Sequence, residues 1–337
     1  MVAELGDPGA EFVVLGATAV LMWEPRNRDD RFAYTLRMVE LAEESDDPED
    51  KAEALAWRSV AALNLGLRDQ LDADQARHAQ LSRTLPQIKV AAQAMRAIRC
   101  FIEGHWVEGE RLTAGAIESE LPQSAAMAMS DALIFMVRAQ QGRLAEYAEL
   151  LEGKDRYTEA WETWPIWHIG MILGLAQSGR EDRARELLDE PGRDGLDGAA
   201  GQHITMPVYF GAAGLLFAEL ADSARAEALA EMMEPHTGEW TIFGPAGSTF
   251  GPVDLILGEM RLTADQDELA IEPLKAALEM CETMSALPYR ARAELALAEA
   301  LRRTGGDPER AAELREAGKT TALELGMQPV LGWYRPS

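Results

Sequence analysis

The chain has 337 residues, with 32 Lys or Arg against 57 Asp or Glu, and a formal net charge of −25 at pH 7. A field of this sign repels phosphate backbones, which argues against direct binding of nucleic acid. The 47% apolar and 26% charged content is ordinary for a globular protein, and the length suits two domains or one elongated array.

The first predicted helix carries the apolar run FVVLGATAVLMW. The run is about half the length of a membrane span and no basic segment precedes it, so we expect neither a membrane anchor nor a signal peptide. The two cysteines, Cys100 and Cys281, are too far apart to indicate a disulfide framework or a metal site. We therefore expect a cytoplasmic protein, because a reducing compartment is the simplest location for such a chain.

Helix-forming residues dominate the whole sequence, and apolar residues recur at spacings of three and four. Prolines at positions 48, 86, 122 and 165 suit the first turn of a helix, where the missing N–H has no partner to lose. The pattern predicts an all-α chain of helical hairpins. The hairpins are predicted to begin near residues 8, 48, 86, 122, 163, 204, 247 and 287.

The hairpin VDLILGEMRLTADQDELAIEPLKAALEM shows most clearly how its two helices cross. Gly258 lies in its first helix, and Ala270, Leu274 and Ala277 follow in the second. Small residues at a crossing let two backbones approach closely, with large apolar residues filling the space between them. This arrangement is the tetratricopeptide pattern, and AIRCFIEGHWVEGERLTAGAIE repeats it around Gly109.

The last third of the chain resembles a known family more specifically. The segments FGPAGSTFGPVDLILGEM, ALPYRARAELALAEALRRTGGDPERA and TALELGM resemble the tetratricopeptide-like region of MalT-like, LuxR-type ATP-dependent transcriptional regulators of bacteria, and of multidomain ATPases fused to cyclase domains. The resemblance implies a right-handed superhelical solenoid of about eight antiparallel hairpins. It also implies a small-molecule effector or a protein partner in the concave groove, reporting to an ATPase.

The ATPase itself has no signature in this sequence. Gly318-Lys319-Thr320 matches the end of a phosphate-binding loop, but position 313 is Glu and the segment lies within a helical pattern. We expect a single helical repeat domain over residues 1–337, divisible into sub-arrays 1–190 and 204–337. The Gly-rich loop 191–203 joins them and is either a plain surface loop or a lid over the groove.

Aromatic residues concentrate in YTEAWETWPIWHIG, residues 157–170. Trp167 follows Pro165 in the first helical turn, where packing between hairpins is the better interpretation. Trp161 and Trp164 belong to the connection before the helix, and exposed aromatics of this size favour a ligand cage. The candidate ligand-binding residues are Trp161, Trp164, Trp167, His168, His203, Tyr209 and Phe243.

Aromatic residues in two further segments have interpretations of their own. Trp106 follows a hairpin turn, which favours packing. His236 and Trp240 lead into the Gly-Pro loop TIFGPAGSTFGP, which is able to shape a pocket, but no lysine accompanies it to support phosphate binding.

No catalytic constellation is recognisable. The five histidines form no H-x-x-x-H pair, and no serine or cysteine lies in a nucleophile elbow. We expect no enzyme, no metal and no cofactor, and a binding module is the leading hypothesis. An interaction scaffold is the alternative, and an enzyme acting on a small molecule beneath loop 191–203 is the weaker one.

The N-terminal helix is apolar around most of its circumference, from Phe12 to Trp23. A helix of this kind is normally buried, so we expect it to have a partner outside its own hairpin. In a longer protein that partner would be a preceding repeat. In an isolated chain it would be a second copy, which predicts a homodimer through this helix, or the surface would stay exposed.

Overall fold

The computed structural model describes residues 7–21, 27–117, 133–145, 165–191, 196, 206–242 and 249–333. Within these ranges every regular element is a helix, and the single isolated β-bridge joins Trp240 and Pro252. The all-α prediction is therefore confirmed for this part of the chain. None of its helices combines the length and the apolar character needed to cross a membrane.

The helices of the described residues are given in chain order. Residues 133–141 are helical, and the other α-helices are α1 (Pro8–Leu21), α2 (Arg28–Ser45), α3 (Pro48–Asn64), α4 (Arg68–Leu81), α5 (Lys89–Glu103), α6 (Trp106–Ile117), α7 (Pro165–Gln177), α8 (Glu181–Leu188), α9 (Met206–Glu219), α10 (Ser223–Met233), α11 (Val253–Thr263), α12 (Asp267–Met284), α13 (Leu287–Arg303), α14 (Pro308–Glu324) and α15 (Gln328–Trp333).

The predicted helix starts agree with the structure wherever the local signal is strong. Pro8, Pro48 and Leu287 begin helices at the predicted positions, and Pro165 begins α7 two residues after the predicted start. At Pro48 the carboxylate of Asp47 accepts a hydrogen bond from the Glu49 N–H at 2.8 Å, which caps the first turn. The predicted start near residue 122 lies outside the described residues.

Small residues lie where paired helices cross, as the repeat pattern predicts. A Cβ at Gly258 would lie 2.4 Å from Cγ of Leu274, and one at Gly109 would lie 2.2 Å from Cε1 of Phe101. Gly318 meets α13 in the same way, because a Cβ there would lie 2.8 Å from the carbonyl oxygen of Ala291. The Gly-Lys-Thr segment is therefore part of a helix crossing within α14.

Hairpins that are far apart in the sequence also meet. Helix α5 packs against α13, and α9 packs against α15. The indole Nε1 of Trp106 donates a hydrogen bond to the carbonyl of Leu325 at 3.0 Å, and Arg99 donates to the carbonyl of Met284 at 3.2 Å. The helices before residue 118 thus face the helices after residue 252.

Helix α1 is covered on one side only. Phe12 and Leu15 are buried in a small core with α2 and α3, while Val13 and Leu21 are exposed on the other side. Within the chain, the contact of α1 with α3 supplies a neighbour outside its own hairpin.

Candidate functional site

A cluster of buried polar side chains lies where α2 and α3 meet the segment between α10 and α11. It consists of Arg31, Asn64, His236, Glu239 and Trp240, and we call it the polar junction. Each of these residues is at most 5% exposed. Buried polar groups are costly unless they are paired, so their concentration in one place marks the strongest candidate site among the described residues.

Asn64, the last residue of α3, fixes the main chain of Trp240. Its carbonyl oxygen accepts from the Trp240 N–H at 2.7 Å, and its side-chain Nδ2 donates to the Trp240 carbonyl at 2.8 Å. The turn after α3 brings Gly66 against the indole, and a Cβ at this position would lie 3.2 Å from Trp240 Nε1. Gly66 also has φ +66°, a conformation that favours glycine.

Residues 239–241 are held from the other side by the start of α11. The Thr241 N–H donates to the Gly251 carbonyl at 3.0 Å, and the Val253 N–H donates to the Glu239 carbonyl at 2.8 Å. These two hydrogen bonds flank the bridge between Trp240 and Pro252. Main-chain pairing therefore fixes residues 239–241 of the polar junction.

The charged side chains of the polar junction lie close together around Asn64. The guanidinium of Arg31 donates to Oδ1 of Asn64, and Nδ2 of Asn64 donates to Oε2 of Glu239 at 3.4 Å. Nδ1 of His236 lies 3.6 Å from the same carboxylate oxygen. Burial lowers the pKa of Arg31, and the nearby charge of Glu239 opposes that shift. A buried cation and a buried carboxylate thus lie close enough to compensate each other.

A second carboxylate supports the turn that carries His236. Oδ2 of Asp254 accepts from the Gly238 N–H at 2.6 Å, and Gly238 has φ +80°. Burial raises the pKa of Asp254, although this hydrogen bond opposes the shift. Arg28 donates to the carbonyl of Thr237 at 3.1 Å, so α2 also contacts this turn.

Three buried polar atoms on residues 236–240 have no hydrogen-bond partner in the part of the chain that the structure describes. They are Nδ1 of His236, Oε1 of Glu239 and Nε1 of Trp240, and all three are buried. An unsatisfied buried donor or acceptor costs about 1–3 kcal/mol. A bound polar molecule that reached these atoms would remove that cost.

The polar junction continues toward α13 through Trp240. The rings of Trp240 and Tyr289 meet edge to face, with centroids 5.9 Å apart and an interplanar angle of 87°. The Tyr289 hydroxyl donates to the carbonyl of Thr249 at 2.7 Å and lies 3.5 Å from Nε2 of Gln140. Burial raises the pKa of Tyr289, so its hydroxyl stays protonated as a donor at neutral pH.

Few of the sequence-predicted ligand residues can be placed against this site. Trp161, Trp164, His203 and Phe243 lie outside the described residues. Trp167 lies on α7, but its side chain is outside the described part of the structure. His168 is half-buried on the same helix.

Tyr209 belongs to the hydrophobic core, where it is 2% exposed. Its neighbour Phe210 contacts His236 edge to face, with ring centroids 5.2 Å apart. The aromatic cage thus stays a prediction, and Tyr209 contacts Phe210, which in turn contacts His236 of the polar junction.

Sequence reasoning singled out His236 and Trp240 but missed Arg31, Asn64 and Glu239. The one available signal was Asn64, a polar residue within the apolar run AALNLGL. Trp106 was interpreted correctly, because it is 8% exposed and packs against Phe101 with ring centroids 6.3 Å apart. Among the described residues, no group of three or more His, Cys, Asp or Glu side chains is placed to hold a metal ion.

Comparison with known proteins identifies no relative: no family model matches the chain, and neither a curated protein nor a solved structure does. The resemblance to bacterial regulators therefore stays a prediction.

Proposed function

We propose that this chain is a regulatory binding module of a bacterial signal-transduction or transcriptional regulator. In this proposal its tetratricopeptide-like hairpins form a right-handed superhelix, and the effector binds on the inner face at the polar junction. The observation that supports the proposal is the set of three buried atoms on His236, Glu239 and Trp240 that have no hydrogen-bond partner among the described residues. Structural cores normally satisfy such groups, whereas binding sites leave them for a ligand.

The unpartnered atoms define the chemistry of the effector. Glu239 offers a carboxylate acceptor, the Trp240 indole offers a donor, and the His236 imidazole offers either, according to its tautomer. A small polar molecule with a donor and an acceptor close together matches this set. Hydrogen bonds made there would be strong, because the surroundings exclude water.

The position of the polar junction explains how binding would be regulatory. Arg31 and Asn64 come from the first two hairpins, and residues 236–240 lead directly into α11. A ligand that touched both would stabilise their contact, and any conformation in which the two separate would become less populated. The effector would thereby change how firmly the first two hairpins are held against the segment before α11.

A thermal-shift screen tests the proposal. Metabolites and nucleotides are screened against the unmodified chain, Glu239→Gln and the control Glu279→Gln, which alters an exposed carboxylate on α12. A ligand present at about 100 times its Kd stabilises a protein by about 2.7 kcal/mol. We expect at least one compound to raise the Tm of the unmodified chain and of the control, but not that of Glu239→Gln. Equal shifts in all three proteins, or no shift with any compound, would contradict the proposal.

The weaker alternative, an enzyme, is not supported by the one acid–base pair at this site. Nδ1 of His236 and Oε2 of Glu239 lie 3.6 Å apart, and a small movement would bring them within the distance needed for proton transfer. Both side chains are at most 5% exposed, so a local opening must precede the binding of an effector or of a substrate, and this pair by itself does not favour a reaction over binding. The interaction-scaffold alternative is favoured by a different observation, the exposed face of α1.

A further inference from the structure

Helix α1 has two apolar faces, and the residues that the structure describes cover only one of them. Phe12, Leu15 and Ala19 are buried at 6%, 6% and 1% exposure. On the opposite side Val13 is 68% exposed and Leu21 is 74% exposed. Val14 and Ala17 complete this exposed stripe, which runs from Val13 to the end of the helix at Leu21. A continuous apolar stripe of this kind marks an interaction surface.

The polar side chains of α1 have partners within the chain. Glu11 pairs with Arg37 of α2, with Oε1 and Nε 2.9 Å apart, and this hydrogen bond lowers the pKa of Glu11. The Thr18 hydroxyl donates to the carbonyl of Val14 at 2.7 Å. The first turn is capped by the Asp7 carboxylate. A partner could therefore cover the stripe without leaving either of these side chains unpaired.

Charge decides which partner fits. The chain carries 57 acidic residues and a net charge of −25, so most approaches of two copies bring carboxylates together. The stripe formed by Val13, Val14, Ala17 and Leu21 contains none of them. Two copies can meet here with less electrostatic repulsion than at the acidic surfaces, and the stripe itself offers a basic partner no carboxylate to pair with.

The spacing of the stripe fits a twofold contact. Val13, Ala17 and Leu21 are four residues apart and lie in one row on the helix. In an antiparallel pair with the twofold axis at Ala17, Leu21 of each copy faces Val13 of the other copy. The small Ala17 side chains at the centre let the two backbones approach, and the same patch serves both copies.

From these observations we infer that two copies of this chain associate through α1, antiparallel about Ala17. The inference does not depend on the polar junction, because the stripe and the polar junction share no residue. The stripe is narrow compared with the interface of a permanent dimer, so the association is weak and depends on concentration. Added salt strengthens it, because salt screens the repulsion between two chains of charge −25.

Sedimentation velocity of the full chain over about a hundredfold range of concentration tests the inference. We compare the unmodified chain with Ala17→Glu, Ala17→Lys and Leu21→Glu. The control is Val107→Glu, which changes an apolar side chain on α6 that is 84% exposed. The chain and the control should move from monomer toward dimer as concentration rises, and the three stripe variants should stay monomeric.

The decisive measurement is an equimolar mixture of Ala17→Glu and Ala17→Lys. In the antiparallel pair the two new charges face each other, so the mixture should recover dimer that neither variant forms alone. Circular dichroism confirms that each variant is folded, which we expect because Ala17 is exposed. The inference is overturned if the unmodified chain is monomeric throughout, if Ala17→Glu still associates, or if the mixture stays monomeric.

Discussion

Asn64 holds both main-chain groups of Trp240, a residue 176 positions away in the sequence. The Asn64 carbonyl accepts from the Trp240 N–H at 2.7 Å, and the Asn64 amide donates to the Trp240 carbonyl at 2.8 Å. The same side chain accepts a hydrogen bond from Arg31. One asparagine thus links α2, α3 and the segment that leads into α11.

Replacing Asn64 with Ala should destabilise the fold by about 2–4 kcal/mol, because the buried Trp240 carbonyl and the Arg31 guanidinium each lose a partner. Urea unfolding followed by circular dichroism measures the change. Gln80→Ala, at an exposed position of α4, is the matched control and should change the free energy of unfolding by less than about 0.5 kcal/mol. Similar values for the two variants would show that the Asn64 contacts contribute little.

Replacing glycine with alanine should have opposite effects on stability at a helix crossing and on an open helix face. Gly258→Ala should destabilise by about 1–3 kcal/mol, since the new methyl would lie 2.4 Å from Cγ of Leu274. Gly115→Ala should be neutral or stabilising by up to about 1 kcal/mol, because its nearest neighbour would be Nε2 of Gln93 at 3.6 Å. Thermal unfolding of both variants checks the contrast, and a stable Gly258→Ala protein would mean that α11 and α12 can separate without cost.

Glu299 should stabilise the fold in a pH-dependent way. Its burial opposes ionisation, but hydrogen bonds from Arg302, Arg303 and Arg315 outweigh that effect and lower its pKa to about 2. Because the folded-state pKa is depressed, the contribution is complete above the unfolded value of 4.5 and is lost as the pH falls toward 2. Glu299→Gln should therefore cost about 1–3 kcal/mol at pH 7 and progressively less below pH 4.5.

The measurement for Glu299 is urea unfolding at a series of pH values between neutral and the acid limit of folding. Glu279→Gln on α12 is the control, because Glu279 is exposed. A deficit for Glu299→Gln that stays constant as the pH falls would mean that the ion pairs do not depress its pKa.

The tryptophans before α7 should differ in their access to solvent. Trp161 and Trp164 are predicted to lie in a connection, and Trp167 is predicted to pack between hairpins. Acrylamide quenching of single-tryptophan variants distinguishes them, and a neutral quencher avoids repulsion by the acidic chain. Trp240 provides the fully protected reference, with 0% exposure. Equal protection of Trp161, Trp164 and Trp167 would remove the case for a ligand cage.

The hairpins could be predicted because their signals are local. Pro48 follows the capping residue Asp47, and Gly258 meets Leu274 within one hairpin, so spacing along the chain was sufficient. The polar junction has no such signal. Arg31 and Glu239 are ordinary members of a highly charged sequence until folding brings them to the same asparagine.

The residues before the Gly-Pro loop could be predicted only in part. Composition drew attention to His236 and Trp240, because aromatic residues beside glycines and prolines indicate a shaped loop. It could not show that Asn64 would pair with the main chain at this point, since that contact joins residues 176 positions apart. Such a contact depends on how distant helices pack together, and no single segment of sequence determines it.

The contact between Trp106 and Leu325 has a consequence for how the chain unfolds. In a row of repeats that touch only their neighbours, the ends fray first and the middle survives. Here the indole at the start of α6 is bonded to the carbonyl at the end of α14, and α5 lies against α13. Losing the last hairpins would expose the surfaces of α5 and α6 that they cover. The described helices should therefore unfold together in one cooperative transition, whereas an array of repeats with free ends would unfold from its ends.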